Sequence, residues 1–332
     1  MKRVRLFSSL ILAWGLVACG QSNGPDVHTA GPATQAAPSP VAAPPAAPIP
    51  KVGLITKTIT NPYFIEVEKG ARRAEKELGI ALQVKSVAQE TSIEQQIQLV
   101  NDLIAAKVDA IVIAPTDSQS LVASLKNATD AGIKVVNIDS KLDVETMKKV
   151  GMADVPFIGV DNDAGAYKAG QVLADKVTTP TKAAILEGIR SADNARQRME
   201  GAKRALAENK NIKVVASETA NWKIDEGYTV TKTIFTKHPD IRLLFASNDM
   251  MAMGAIKYLQ ESGKTKVKVV GYDALDEAIA EIKAGRMAAT VDQQAAEQGY
   301  QGVAAAVRLI KGEKVAPLTL VDTRLVSAAE AK

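Results

Sequence analysis

Several apolar runs in the middle and last thirds of the chain close on a polar side chain. Ala110–Pro115 leads to Asp117, Lys134–Asp139 ends on Asp139, Leu243–Ser247 leads to Asn248, Lys268–Asp273 ends on Asp273, and Ala289–Gln293 ends on Gln293. Two aromatic sites accompany them. Tyr63 and Phe64 sit in Asn61-Pro62-Tyr63-Phe64, just after the run Lys51–Thr56, and Trp222 follows a run ending near Ser217. A carboxylate accepts from hydroxyls, an amide both donates and accepts, and a ring covers an apolar C–H face. Together these groups suit a neutral, polyhydroxylated ligand. Each has a local alternative: Asp139 in a turn, Asn248 as a helix N-cap, Tyr63 and Phe64 in a core. Arg196 stands near a helix start, where the dipole disfavours a cation, and this points to a pairing with a cleft carboxylate. Trp222, between Asn221 and Lys223, reads as an exposed stacking surface.

Other chemistries have less support. Gly263-Lys264-Thr265 is similar to the end of a phosphate-binding loop, but Tyr258 occupies the required first glycine position. No G-x-G-x-x-G, H-E-x-x-H or G-x-S-x-G occurs. The chain has only two histidines, His28 and His238, too few for a histidine-based zinc site. Carboxylate pairs could support hydrolysis, but sequence fixes no separation between them. The expectation is therefore a binding protein with no catalytic residues, no metal and no cofactor.

The elements that must position these tips follow a regular order. The β-branched runs Lys51–Thr56, Leu82–Ala88, Ala110–Pro115, Lys134–Asp139, Phe157–Asp161, Ala183–Glu187, Lys213–Ser217, Leu243–Ser247, Lys268–Asp273 and Ala289–Gln293 read as strands. Helical patterns lie between them, as in Ser92–Lys107, where Ile93, Ile97, Val100 and Ile104 form one stripe. Such alternation predicts an α/β fold of parallel sheets with helices on both faces. The segments 109–117 and 133–139 are echoed by 241–249 and 266–273, so two similar lobes are expected. In open α/β sheets the ligand crevice lies beyond the carboxyl ends of the strands, which would set the polar tips of both lobes face to face.

The first fifty residues are of another kind. Lys2, Arg3 and Arg5 precede the apolar stretch Leu6–Val17, too short for a stable membrane span and suited to an export signal over 1–19. Leu16-Val17-Ala18-Cys19 resembles a bacterial lipobox, which implies cleavage before Cys19 and its acylation. Residues 20–50 hold eight of the fourteen prolines and read as a semi-rigid tether. At about 3.1 Å per residue it reaches on the order of 95 Å. An exported body, anchored to a membrane only through lipid and facing the periplasm or cell exterior, is expected. Without the three leader cations the formal charge falls from +4 to +1, which gives no electrostatic reason to expect nucleic acid as a partner.

Over 51–332 the sequence resembles the type I periplasmic binding proteins, and among them the ribose-binding-protein-like group that serves sugar importers. The resemblance rests on Asn61-Pro62-Tyr63-Phe64, Ile113-Ala114-Pro115-Thr116-Asp117, Ala195-Arg196-Gln197-Arg198, Phe245-Ala246-Ser247-Asn248-Asp249, Val270-Gly271-Tyr272-Asp273 and Ala289-Thr290-Val291-Asp292-Gln293, in that order. It implies a bilobal receptor, joined by a three-segment hinge, that closes on one monosaccharide or polyol and delivers it to an ABC permease. The implied N-terminal lobe is 51–160 plus 294–322, and the C-terminal lobe 161–293 plus 323–332. The implied ligand contacts are Asn61, Tyr63, Phe64 and Asp139 from the first lobe, Arg196, Trp222, Asn248 and Asp273 from the second, and Gln293 from the hinge. Where the ribose-type pattern carries an arginine after Asp139, Ser140 stands here, so that position joins the contacts with an altered hydroxyl preference. Lys141 is a partial substitute. A monomer is expected. The alternative role is a sensor that hands its closed form to a chemoreceptor or sensor kinase.

Overall fold

The computed structural model describes residues 48–331. The expected export signal, Cys19 and most of the expected tether lie outside the described residues. Among the described residues, no helix is long and apolar enough to cross a membrane.

The first lobe alternates strand and helix through β1 (Lys51–Thr56), α1 (Pro62–Leu78), β2 (Ala81–Ser86), α2 (Ile93–Ala105), β3 (Ala110–Ile113), α3 (Val122–Asp130), β4 (Lys134–Ile138), α4 (Val144–Lys149) and β5 (Phe157–Gly159). The second continues through α5 (Asn162–Ala174), β6 (Thr181–Glu187), α6 (Asp193–Ala207), β7 (Ile212–Thr219), α7 (Ile224–Lys237), β8 (Ile241–Ala246), α8 (Asp249–Glu261), β9 (Lys268–Val270), α9 (Asp276–Lys283) and β10 (Ala289–Asp292). The chain then supplies α10 (Ala295–Ile310), β11 (Leu318–Leu320) and β12 (Arg324–Ser327).

Two six-stranded sheets result, ordered β11-β5-β4-β3-β1-β2 and β12-β10-β9-β8-β6-β7. The repeated sequence segments fall on matching strands, β3 with β8 and β4 with β9. The central strands are short and apolar on both sides, as sheets covered by helices on both faces require. In β3, Ile111 and Ile113 join one core cluster while Ala110 and Val112 join another across the sheet. α10 packs against α1 with no room for a side chain where they cross: a Cβ on Gly70 would lie 1.7 Å from the Ala296 carbonyl oxygen.

The chain passes between sheets three times, after β5, after β10 and after β11. The crossings are laced together: the Val321 N–H donates to the Gly159 carbonyl at 2.8 Å, and the Gln294 amide donates to the Asp322 carbonyl at 2.7 Å. β12 departs from the all-parallel expectation and pairs antiparallel with β10. The third crossing delivers the chain to the second lobe at the end where β10 finishes, and with no helix to carry it back it runs the opposite way.

Candidate functional site

In the first lobe, β1 runs out into Lys57, which is almost fully buried; its Nζ lies 2.6 Å from Asp139 Oδ2. Asp139 follows β4 with φ +64°, a left-handed turn that aspartate tolerates better than most residues. Its N–H donates to the Ile158 carbonyl on β5. Asn61 has two tasks. Its Oδ1 accepts from the Tyr63 N–H at 3.1 Å and caps α1, with Pro62 opening the first turn, while its Nδ2 donates to Glu90 Oε1 at 3.0 Å. The capped turn presents Tyr63 and Phe64, packed edge to face at 4.9 Å.

In the second lobe the organising group is Arg198 on α6. Nε donates to Asn162 Oδ1 at 2.8 Å, Nη1 to the Ser247 carbonyl at 2.9 Å, and Nη2 to Gln293 Oε1 at 3.1 Å. Nη1 also lies 3.5 Å from Asp273 Oδ1, which accepts a 2.6 Å bond from Gln293 Nε2. The guanidinium stacks on Tyr272, 3.8 Å from its centroid, with Trp222 on another side at 5.5 Å. Asp273 follows β9 with φ +125°, and its N–H donates to the Val291 carbonyl on β10. Asn248 caps α8 by accepting from the Met251 N–H at 2.9 Å, and its Nδ2 donates to the Trp222 carbonyl.

The lobes meet around a small cavity of about 20 Å³, lined by Lys57, Asn61, Tyr63, Phe64, Glu90 and Asp139 from the first and by Asn194, Arg198, Trp222, Asn248, Asp273 and Gln293 from the second. That is room for about one water molecule, so the polar walls stand close together. Asn194 Nδ2 reaches across to Asp139 Oδ1 at 3.4 Å. Outside the cavity the lobes also clasp at the rim. Ser118 Oγ accepts from the Asp193 N–H at 3.0 Å, its N–H donates to the Ser191 carbonyl, and Lys223 Nζ donates to Gln89 Oε1.

Two cations and two partnered carboxylates balance within the walls, with Glu90 as a fifth ionisable group. Burial pushes the Glu90 carboxyl up to about 7, against the Lys57 charge and the Asn61 donor. Burial also raises Asp273, with Arg198 pulling the other way, and raises the Tyr63 hydroxyl, with the Asp139 charge adding to the effect. The Tyr63 hydroxyl, the Asn194 Oδ1 and the Trp222 Nε1 are buried without hydrogen-bond partners. A guest carrying both donors and acceptors would complete them. Among the described residues no cluster of three or more histidine, cysteine or carboxylate groups is placed to hold a metal.

Of the residues singled out from sequence, Asn61, Tyr63, Phe64, Asp139, Trp222, Asn248, Asp273 and Gln293 line this cavity. Arg196 does not: its side chain is 42% exposed and pairs with Asp193 one turn back, because at its place on α6 it points away from the buried stripe. Ser140 is fully buried but lies behind the cavity wall, and Lys141 is exposed. The cation beside Asp139 comes instead from Lys57. Asp117 turns back to accept from the Gln119 and Ser120 N–H groups and does not line the cavity. Trp222 is 5% exposed, not an open platform, because Arg198 and the second lobe enclose it. Cys19 lies outside the described residues.

Sequence reasoning missed Lys57, Glu90, Asn194 and Arg198. A signal existed for three of them. Lys57 is itself a polar tip after an apolar strand. Asn194 and Arg198 fall on the stripe of α6 that includes Ala195, Ala202 and Ala205, so helical periodicity selects Arg198 over Arg196. Glu90 sits in the connection after β2 and carries no local signal.

A family model described as periplasmic binding protein domain matches residues 52–314. The D-ribose/D-allose-binding protein of Pseudomonas aeruginosa is 39% identical over 269 residues, spanning 80% of this chain and 83% of its own. The D-allose-binding periplasmic protein of Escherichia coli is 34% identical over 282 residues, 82% of this chain and 91% of its own. A solved ABC transporter periplasmic solute binding protein from Actinobacillus succinogenes, with bound D-allose, superposes with a TM-score of 0.80 at 37% identity and covers 85% of this chain and 99% of that one.

Proposed function

The chain belongs to the periplasmic binding protein family, and from that membership we propose that it captures one monosaccharide between its lobes for an ABC importer. D-allose and D-ribose are the first candidates, since relatives of this similarity bind them by name. The observation that supports the reading most is the convergence of Asp139 and Asp273, from different lobes and each beside its own cation, on one cavity. A shared guest would supply partners to Tyr63 of one lobe and to Asn194 and Trp222 of the other, so ligand and closure stabilise one another. The contacts are Asn61, Tyr63, Phe64, Asp139, Trp222, Asn248, Asp273 and Gln293, extended by Lys57, Glu90, Asn194 and Arg198. The ligand leaves chemically unchanged, and the closed form is what the permease receives. Acylation at Cys19 would hold the exported body, a monomer, at the membrane through the tether.

Titration calorimetry with D-allose, D-ribose and a panel of other aldoses and polyols tests the reading. One sugar is expected to bind tightly and to be recovered intact, and Asp139→Ala and Asp273→Ala each to abolish binding while the body stays folded. Wild-type affinity in both variants would overturn the assignment of the site. Trp222 is the only tryptophan among the described residues, so Trp222→Ala should remove the ligand-induced fluorescence change. Cys19→Ser should release the protein from membranes, and persistent membrane association would refute the acyl anchor.

A further inference from the structure

We infer that Asp249, which does not line the cavity, is a positioning residue that fixes Asp273 within it and thereby sets affinity from behind the site. The affinity readout rests on the sugar-binding reading above; the geometry does not. Asp273 and Ala274 are consecutive non-glycine residues at φ +125° and +56°. Such conformations persist only where the surroundings over-determine them. The surroundings here converge on one side chain. Asp249 is fully buried; its Oδ2 accepts from the Leu275 N–H at 2.9 Å and its Oδ1 accepts from the Thr290 hydroxyl at 2.7 Å. Thr290 Oγ1 in turn accepts from the Ala274 N–H at 3.2 Å. The Asp249 N–H donates to the Tyr272 carbonyl at 2.8 Å, so one residue brackets the segment 272–275 from both ends.

Gly271 is the second mark of this arrangement. A Cβ built there would lie 2.2 Å from Asp249 Oδ1, so the carboxylate occupies the space any side chain would need. The approach of the carboxylate to this loop is thus built into the backbone. The groups that face it are Tyr272 and Asp273 on the loop and Thr290 on β10, with Arg198 of α6 beyond Asp273. Burial pushes Asp249 up to about 7, and its negative charge raises Asp273 in turn.

Three variants test the inference. Thr290→Val is isosteric and should fold, but it leaves the Ala274 N–H and one Asp249 oxygen without partners, so sugar affinity should fall roughly tenfold. Thr290→Ser keeps the hydroxyl and should restore affinity to within about threefold. Asp249→Asn leaves one side-chain acceptor where the wild type uses two, so the loop should loosen and affinity should fall. Wild-type affinity in both Thr290→Val and Asp249→Asn would overturn the inference. So would equal losses in Thr290→Val and Thr290→Ser. Ligand-free crystal structures decide the question without any sugar. Asp273 and Ala274 should leave positive φ in Asp249→Asn, and a retained loop would overturn the inference. A wild-type protein that binds no sugar would sink the functional reading alone, because those structures would still judge the loop.

Discussion

The two lobes place the same device at equivalent strand ends and brace it differently. Asp139 follows β4 and Asp273 follows β9; both have positive φ, and both donate their N–H to the carbonyl of the neighbouring strand. Asp139 is held by the point charge of Lys57 on a flexible stem. Asp273 is held by a guanidinium that is itself pinned by Asn162, Ser247 and Gln293 and stacked on Tyr272. An arginine fork bound on every side is a preorganised wall, whereas a lysine can follow a moving partner. The difference teaches a division of labour. The second lobe offers a rigidly braced half-site, and the first an adjustable one.

The comparison breaks most readily at Arg198. Arg198→Ala would leave Asp273 buried without its cation and strip partners from Asn162 and Gln293, so a loss of sugar affinity of roughly a thousandfold or more is expected in calorimetry. Arg198→Lys should not restore it, since a single ammonium cannot meet those acceptors. Lys57→Met removes one contact on the adjustable side, and a loss of about tenfold to a hundredfold is expected. Equal losses at Lys57 and Arg198 would end the claim that the two walls differ in kind.

A smaller effect sharpens the picture on the Lys57 side. Glu90 titrates near 7 in the folded body against an ordinary value of 4.5. Between those values the folded state holds a proton that the unfolded chain has released, so stability falls as pH rises through the window. Asp249, also raised to about 7, acts in the same direction. Glu90→Gln should therefore flatten, without abolishing, the decline of Tm between about pH 4.5 and 7. An unchanged slope would show that Glu90 is not buried as described. The smallest effect is expected at the rim. Ser118→Ala removes a bond made only when the lobes meet, and should weaken binding about threefold to tenfold through faster release.

Fold and site were legible to different depths. The lobes were readable because buried parallel strands must be apolar on both faces, and runs such as Ala110–Ile113 have no other simple reading. Strand tips were readable by the same logic, since the residue after such a run meets the crevice; this located Asp139, Asn248, Asp273 and Gln293. Confining that rule to acids and amides hid Lys57, which obeys it. Choosing Arg196 over Arg198 weighed a helix-dipole argument above periodicity, and burial follows periodicity. Ser140 was singled out by its place beside Asp139 in a family pattern, but the turn at Asp139 sends the next side chain behind the wall. β11 and β12 were not anticipated, because three or four residues at a sheet edge carry too little pattern. Glu90 depends on how the connection after β2 folds onto the start of α1, where Asn61 donates to it, a tertiary fact with no local trace.

The closing strands of both sheets come from the same last stretch of chain, β11 at Leu318–Leu320 and β12 at Arg324–Ser327. As the polypeptide is made from its amino end, neither half can zip up its sheet until this stretch has emerged. Until then each half stays unfinished on one side. Removing residues from 318 onward would cost each half an outer strand at a single stroke.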